Sequence, residues 1–190
     1  MSLAVFGYGS LVSPQSFERT LGRRPEVLVP ARLPDWRRRW SIMRDNLAAE
    51  KTFAREDTGE LPPWIVGLNL ERDDGGEAGQ APNGALIEID EAELERLDLR
   101  EMRYDRVEVG GREGFDRIVT YVAKPHHFAP QPPPGAVAMA PYVRAIEAAF
   151  RELGDGEWEL FLQTTGPPPV ETIEPRLVRD EIPPGNPREW

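Results

Sequence analysis

The chain has 190 residues, the size of a single domain. Its 33 acidic and 23 basic side chains give a formal net charge of −10. This balance argues against a surface that binds nucleic acid or an anionic membrane, because such surfaces need clustered lysine and arginine. The absence of cysteine excludes disulfides, thiolate nucleophiles and cysteine-ligated zinc or iron–sulfur sites. We therefore expect the chemistry to use oxygen and nitrogen groups.

The first half of the sequence predicts one helix among several strands. Ser13 is a good N-cap, Pro14 suits the first helical position, and Gly22 can end the helix. Short apolar stretches predict strands at Leu3 to Phe6, Glu26 to Ala31, Arg37 to Ile42, Trp64 to Leu70 and Gly84 to Ile89. Between the last two, Glu71 to Pro82 is acidic and glycine-rich without apolar periodicity, which predicts an exposed, mobile loop.

The second half predicts helices on either side of a β-hairpin. Asp90 and Glu93 form a capping-box pattern, and this helix ends near Arg100 and Glu101. The later elements follow from turn residues and apolar spacing: strands at Tyr104 to Val109 and Arg117 to Val122, an irregular proline-rich connection from Lys124 to Pro134, helices from Pro141 and around Trp158 to Leu162, and an extended tail after Gly166.

These elements neither alternate as strand, helix, strand nor form an all-β pattern, which predicts an α+β fold. We expect one domain over residues 1–190 with a proline-rich C-terminal extension from about residue 155. The apolar start Leu3 to Phe6 breaks at Gly7 before it reaches the length of a signal-peptide apolar region. No apolar run approaches the roughly 20 residues that span a bilayer, so we expect a soluble, cytoplasmic protein.

The turn Gly7-Tyr8-Gly9-Ser10-Leu11 is the first candidate site. Two glycines permit positive φ angles and close backbone approach, so successive N–H groups can point at one anion or carbonyl oxygen. A dinucleotide fingerprint would need glycine where Val12 stands, and the Gly-Lys-Ser/Thr of a phosphate loop is absent. The turn is thus either a cradle for an oxyanion or carboxylate, or a strand-to-helix turn with glycines for geometry alone.

Glu101 is the second candidate, because it stands where a helix ends and a strand begins. The negative end of the helix dipole would raise its pKa and make it a better base, while Arg100 and Arg103 would oppose that shift. The alternative is an ordinary solvated acid, one of 33 in the chain.

Together these residues resemble the gamma-glutamylcyclotransferase-like family, which includes the AIG2-like and ChaC-like proteins. The resemblance covers most of residues 3–150. The residues that carry it are Phe6-Gly7-Tyr8-Gly9-Ser10-Leu11, Gly84, Leu97-Asp98, Glu101, Tyr104, Tyr121 and Tyr142. It implies a small mixed β-barrel with flanking helices around a cavity. It further implies that Glu101 is the catalytic acid/base, that the turn holds the gamma-glutamyl group, and that Tyr142 lines the cavity. The implied substrate-binding residues are Tyr8, Gly9, Ser10, Leu11 and Tyr142.

The implied reaction converts a gamma-glutamyl amine, amino acid or peptide to 5-oxoproline and releases the amine. It needs one carboxylate for proton transfer and fixed donors for the oxyanion, and no metal or cofactor. The expected partner is a small-molecule gamma-glutamyl substrate, with no nucleic acid and no membrane, and the oligomeric state is left open. Leu11 stands where many dipeptide cyclotransferases have asparagine, so the leaving amine is not assigned.

Two further functions remain as alternatives. One is a non-catalytic protein that binds a gamma-glutamyl group or small anion, and the other is an interaction domain that uses the proline-rich tail. The alternation of Trp36 to Trp40 is typical of an ordinary strand rather than a nucleic-acid platform, although an arginine there can bind a substrate carboxylate. His126 and His127 favour a surface loop over a metal site. Ser10 lacks the nucleophile-elbow pattern, so we assign it to binding.

Overall fold

The computed structural model describes residues 2–73, 81–112 and 114–187, and within them eleven strands and four helices. The strands are β1 (Leu3–Gly7), β2 (Leu28–Arg32), β3 (Trp36–Asp45), β4 (Lys51–Arg55), β5 (Trp64–Arg72), β6 (Asn83–Ile89), β7 (Tyr104–Arg112), β8 (Phe115–Ala123), β9 (Ala136–Met139), β10 (Thr172–Ile173) and β11 (Pro175–Asp180). The helices are α1 (Pro14–Leu21), α2 (Glu91–Arg100), α3 (Ala140–Leu153) and α4 (Glu157–Thr165). Single 3₁₀ turns occupy Ser10–Val12 and Pro125–His127.

The strands form a five-stranded sheet in the order β2-β6-β1-β8-β7, a four-stranded sheet in the order β10-β9-β5-β3, and the ribbon β11-β4. In the first sheet β1 is antiparallel to β6 and parallel to β8. The α+β class is thus confirmed. The strands of the described residues do not form the expected closed barrel, because β5 and β8 belong to different sheets. A hydrogen bond from the Ala123 N–H of β8 to the Asn69 side-chain oxygen of β5 (2.7 Å) connects these two strands.

The core is formed by residues of the large sheet, the four-stranded sheet and the helices. Side chains such as Phe6, Phe17, Leu86, Leu94 and Phe150 are at most 1% exposed. Burial of this kind supplies most of the stabilising free energy of a small domain. None of the helices within residues 2–73, 81–112 and 114–187 has the length and apolar character needed to cross a membrane.

Both predicted helix starts are confirmed. The Ser13 hydroxyl accepts the Ser16 N–H (3.3 Å) at the start of α1. At α2 the Asp90 carboxylate accepts the Glu93 N–H (2.8 Å), and Glu93 accepts the Asp90 N–H (3.0 Å), which completes the capping box. At its other end, α2 stops at Arg100 as predicted, and Glu101 follows it directly.

The structure contains pairings that the sequence did not predict. β4 was missed, and the tail that was expected to be merely extended supplies its partner β11, with Lys51 opposite Asp180. β9 was also missed, and it lies between β5 and β10. These strands are short, and their partners are distant in sequence, so local periodicity carries little signal for them.

The predicted loop from Glu71 to Pro82 is only partly described. Glu71 and Arg72 belong to β5, and Ala81 and Pro82 are buried, so the exposure expected of the loop is wrong at its C-terminal end. Residues 74–80, where the rest of the prediction falls, lie outside the described residues.

Candidate active site

The glycine turn connects β1 to the 3₁₀ turn. Neither Gly7 nor Gly9 has a positive φ, which corrects the conformational reason expected for them. Close approach explains Gly7, whereas a Cβ at Gly9 would make only an ordinary contact. A Cβ at Gly7 would lie 3.1 Å from the Leu11 Cβ, and one at Gly9 would lie 3.4 Å from the Tyr142 hydroxyl. On the neighbouring strand, a Cβ at Gly84 would lie 2.2 Å from the Gly7 carbonyl oxygen, so β6 and the turn can meet only through glycine.

The turn exposes backbone donors toward the site. The N–H groups of Val12 and Ser13 close the 3₁₀ turn on Gly9 and Ser10, at 3.0 and 3.1 Å. The preceding N–H groups of Ser10 and Leu11 have no acceptor within the described parts of the chain, as is usual at the start of a helical turn. Leu11 is 7% exposed and its side chain packs in the core, which leaves its backbone N–H as the group that can bind a ligand.

Tyr8 fixes the turn from two sides. Its hydroxyl donates to the Tyr121 carbonyl oxygen (2.7 Å), which anchors the side chain to β8. Its own carbonyl oxygen accepts a hydrogen bond from Arg38 Nη1 (3.0 Å), which anchors the backbone to β3. The turn is thereby held between the two large sheets.

Glu101 is the C-cap of α2. Its N–H donates to the Leu97 carbonyl oxygen (2.8 Å), and its carbonyl oxygen accepts the Tyr104 N–H (2.7 Å). Its side chain is 15% exposed, and Oε1 lies 3.0 Å from Arg100 Nε. These facts exclude the alternative of a freely solvated acid.

Burial raises the pKa of the Glu101 carboxyl above its ordinary value, and the positive charges of Arg100 and Arg103 partly oppose this effect. The direction agrees with the sequence-based expectation. Burial, which the sequence did not predict, is the largest cause of the shift. A carboxyl with a raised pKa exchanges protons more readily near neutral pH.

All four tyrosines of the chain lie within the electrostatic reach of Glu101. Burial is the main cause that raises the pKa of each phenol, and the charge of Glu101 adds to it. The four are Tyr8, Tyr104, Tyr121 and Tyr142. They therefore stay protonated at neutral pH and can act as hydrogen-bond donors.

Their hydroxyls differ in what they bind. Tyr104 donates to the Leu68 carbonyl oxygen (2.9 Å), and Tyr121 donates to Asp98 Oδ1 (2.9 Å). Burial raises the pKa of Tyr142 to about 12, against the opposing effect of the Leu68 backbone amide. Among the described residues the Tyr142 hydroxyl donates to no acceptor, so its proton is available to a ligand.

The arginine-rich strand β3 behaves differently from the site around Glu101. Trp36, Arg38 and Trp40 lie on its buried face and Arg39 lies on its exposed face, as the alternation predicted. Arg38 is 1% exposed, and its five N–H groups donate to oxygens of the protein. The acceptors are the carbonyls of Tyr8 and Asn83, the Asn83 side chain, and the hydroxyls of Thr164 and Thr165. Arg38 therefore has no donor left for a substrate carboxylate.

A groove of about 690 Å³ lies beside this strand, between β3, Pro130 to Pro132 and the segment after α4. It contains none of the site residues predicted from the sequence. Its two exposed arginines are already paired with acids, Arg37 with Asp73 and Arg39 with Glu71. The groove is separate from the Glu101 site.

The histidine pair lies in the 3₁₀ turn before β9, with ring centroids 4.1 Å apart. In the described ranges, no cluster of three or more histidine, aspartate or glutamate side chains is arranged to hold a metal ion.

Comparison with known proteins adds evidence about the fold. No protein-family model matches the chain, and no curated protein sequence matches it significantly. A solved gamma-glutamyl cyclotransferase is similar in structure, with a TM-score of 0.55, 16% identity, and coverage of 84% of this chain and 86% of that one. YkqA from Bacillus subtilis is similar with a TM-score of 0.58 and 19% identity, and the match covers 89% of this chain and 56% of YkqA. The chain has the gamma-glutamylcyclotransferase-like fold. It spans little more than half the length of YkqA.

Within this gamma-glutamylcyclotransferase-like fold, the predicted site residues come together. Tyr8 and Tyr142 lie within the electrostatic reach of Glu101, Gly9 lies beside the Tyr142 hydroxyl, and Ser10 is linked to Glu101 through Arg100. Three residues that contribute to the site were not assigned to it: Arg100, Tyr104 and Tyr121. Tyr104 and Tyr121 were among the residues that carry the family resemblance. Since the chain has only four tyrosines, their presence in that pattern could have suggested a place in the site. Nothing local marks Arg100 as a partner of a serine ninety positions earlier.

Proposed function

We propose that the protein is a gamma-glutamyl cyclotransferase that converts a gamma-glutamyl amine, amino acid or peptide to 5-oxoproline and releases the amine. The observation that carries this proposal is the buried Glu101 carboxyl with its raised pKa, near a glycine turn whose Ser10 and Leu11 N–H groups reach no acceptor among the described residues. The similarity of fold to a gamma-glutamyl cyclotransferase supports it.

The reaction has a simple proton balance. The α-amine nitrogen of the glutamyl group attacks its own γ-carbonyl carbon, and the new C–N bond closes a five-membered lactam. Glu101 accepts the proton that the attacking nitrogen loses. It then returns this proton to the leaving nitrogen as the original C–N bond breaks, so that one carboxylate serves first as base and then as acid.

A raised pKa suits a group that must perform both steps. A carboxylate with an ordinary pKa is a weak base at neutral pH, and its acid form is scarce. Burial of Glu101 moves its pKa toward the working pH, which increases both its basicity and the population of the acid form.

The developing oxyanion needs donors that are fixed before the reaction starts. The N–H groups of Ser10 and Leu11 are such donors, and the Tyr142 hydroxyl is a third. The substrate itself tethers its amine to its carbonyl. The protein has chiefly to fold the glutamyl chain into the reactive conformation, which removes much of the entropic cost.

A mass-spectrometric screen tests this proposal. Purified protein is incubated with gamma-glutamyl amines, gamma-glutamyl dipeptides and glutathione, and 5-oxoproline is quantified. The matched control is the alpha-linked isomer of each dipeptide, which lacks an amide leaving group at the γ-carbonyl. We expect 5-oxoproline from at least one gamma-linked substrate, none above background from its isomer, and no effect of EDTA.

Two results would contradict the proposal. Equal release from both isomers would reject the binding geometry. Binding of 5-oxoproline without turnover of any gamma-glutamyl compound would favour the non-catalytic binding protein.

A further inference from the structure

Arg100, the last residue of α2, links the two halves of the candidate site. Its side chain is 2% exposed. Nη2 donates to the hydroxyls of Ser10 (3.0 Å) and Ser16 (2.9 Å). Nη1 donates to the Thr20 hydroxyl (2.6 Å) and the Ser16 carbonyl oxygen (3.2 Å), while Nε lies 3.0 Å from Glu101 Oε1. One guanidinium therefore contacts α1, the glycine turn and the candidate acid/base.

These contacts determine which hydrogen-bonding groups of Ser10 and Glu101 remain available to a ligand. The Ser10 oxygen accepts from Arg100, so its own proton points elsewhere, and in the described part of the chain it reaches no acceptor. Apart from the contact with Arg100, no hydrogen bond from a described residue reaches the Glu101 carboxylate. A donor and an acceptor are thus held by the same rigid group, and both remain available to a ligand.

We propose that Arg100 is the positioning residue of this site, which holds the Ser10 hydroxyl as a donor and the Glu101 carboxylate as an acceptor in one fixed arrangement. Its role in turnover rests on the proposed function, whereas its effect on the ionisation of Glu101 does not. A guanidinium is planar and presents its donors in a rigid fork, so neither lysine nor glutamine can reproduce this set of contacts.

Arg100 also limits how far burial raises the pKa of Glu101. Other groups face this carboxyl as well. They are Arg103 after α2 and the phenols of Tyr8 (β1), Tyr104 (β7), Tyr121 (β8) and Tyr142 (α3). Arg103 is in turn held by Glu50, at 2.8 Å. Arg100 is therefore the cation in direct contact with Glu101, and its removal should raise the pKa of Glu101 further.

The first experiment measures the ionisation of Glu101 directly. The glutamate side-chain carboxyls are labelled with ¹³C and titrated by NMR, and the Glu101 signal is assigned by its loss in Glu101→Gln. We expect the Glu101 titration midpoint to rise in Arg100→Gln and to stay near the wild-type value in Arg100→Lys. Arg96→Gln is the matched control, because Arg96 is an exposed arginine one turn earlier on α2 that also binds α1, through the Thr20 carbonyl. It should leave the midpoint unchanged.

The second experiment measures turnover in the same variants. Arg100→Lys keeps the positive charge but loses the planar, forked set of guanidinium donors. We therefore expect kcat to fall about 10- to 100-fold while KM changes less, as for misplaced catalytic groups. Arg96→Gln should keep the wild-type kcat and KM. Circular dichroism at the assay temperature measures the folded fraction of each variant, and kcat is expressed per folded protein, which separates positioning from a general loss of stability.

Three results would overturn the inference: an unchanged Glu101 midpoint in Arg100→Gln, a wild-type kcat in Arg100→Lys, or a crystal structure of Arg100→Lys in which Ser10 and Glu101 keep their positions. Should Arg100→Gln fail to fold, the lysine variant decides the matter. If the wild-type protein releases no 5-oxoproline from any gamma-glutamyl substrate, the proposed function fails, and the titration and the crystal structure still test the link between Arg100, Ser10 and Glu101.

Discussion

Two buried arginines occupy opposite sides of the glycine turn, and they differ in what they bind. Arg38, at 1% exposure, donates to five neutral oxygens and stacks on Phe161, with its guanidinium carbon 3.9 Å from the ring centroid. Arg100, at 5% exposure, binds hydroxyls and contacts the carboxylate of Glu101. Burial lowers the pKa of Arg38 well below its ordinary value, but an arginine nevertheless remains charged in a protein.

The difference lies in the acceptors. Those of Arg38 are carbonyls and side chains that face inward, so this arginine ties the turn to β6 and α4 and has a structural role. Two of the groups that Arg100 contacts, the Ser10 hydroxyl and the ion-paired Glu101 carboxylate, belong to the candidate site. A buried arginine is therefore informative about function only through the groups it holds.

The largest effect is expected where the two environments differ most, at Glu101. Glu101→Gln keeps the shape of the side chain but cannot take up a proton, so turnover should fall by about 10²–10⁴-fold. The variant should still bind 5-oxoproline in isothermal titration calorimetry. Stability at neutral pH should change little, because burial already disfavours the charged form of Glu101 more than Arg100 favours it.

Asp98→Asn is the control for this change. Asp98 is 39% exposed and binds Tyr121 and Arg106 away from the turn, so most activity should remain. Near-wild-type 5-oxoproline formation by Glu101→Gln at saturating substrate would remove Glu101 from the mechanism.

The structural role of Arg38 predicts a large effect on folding. Arg38→Met leaves buried oxygens without donors, and we expect the free energy of unfolding to drop by about 3–5 kcal/mol. Arg39→Met, on the same strand but 49% exposed, should change it by less than about 0.5 kcal/mol. Urea denaturation measures both. Equal stability of the two variants would show that the Arg38 contacts contribute nothing to folding.

Two tyrosines of the site, Tyr142 and Tyr104, are expected to differ in role, the first in binding substrate and the second in stabilising the fold. Tyr142→Phe removes a hydroxyl whose proton is unused within the described residues, so kcat/KM should fall about tenfold, the value of roughly one hydrogen bond. It also removes the oxygen to which the Leu68 backbone amide donates, so a modest loss of stability accompanies the kinetic effect. Tyr104→Phe leaves the Leu68 carbonyl oxygen without its donor and should cost about 1 kcal/mol of stability. Its steady-state kinetics should stay close to wild type. The reverse pattern would exchange the two roles.

The smallest effect concerns the pH dependence of stability. Because the folded-state pKa of Glu101 is raised, the native protein takes up this proton before the unfolded chain does as the pH falls. The contribution of Glu101 to stability is therefore complete below the ordinary value of 4.5 and is lost as the pH rises through the raised value. Glu101→Gln lacks this titration. The melting temperature of the wild-type protein minus that of the variant should increase between pH 7 and pH 4, and a constant or shrinking difference would contradict the raised pKa.

The sequence by itself determined the local features of this protein. The caps at Ser13 and Asp90 and the place of Glu101 at the end of α2 depend on residues three or four positions apart, whose preferences are readable in a single chain. The α+β class followed from the order of such elements. The roles assigned to Tyr8, Gly9, Ser10, Leu11 and Tyr142 are predictions that await the experiments above.

Only the tertiary structure decided which groups meet. Arg100 and Ser10 are 90 residues apart, and Arg38 and Thr165 are 127 apart, so no local pattern connects them. The same holds for the pairing of β4 with β11. The pKa of Glu101 also depends on the fold, because burial is the largest cause of its rise. Chain topology brings these groups together, and local periodicity does not encode it.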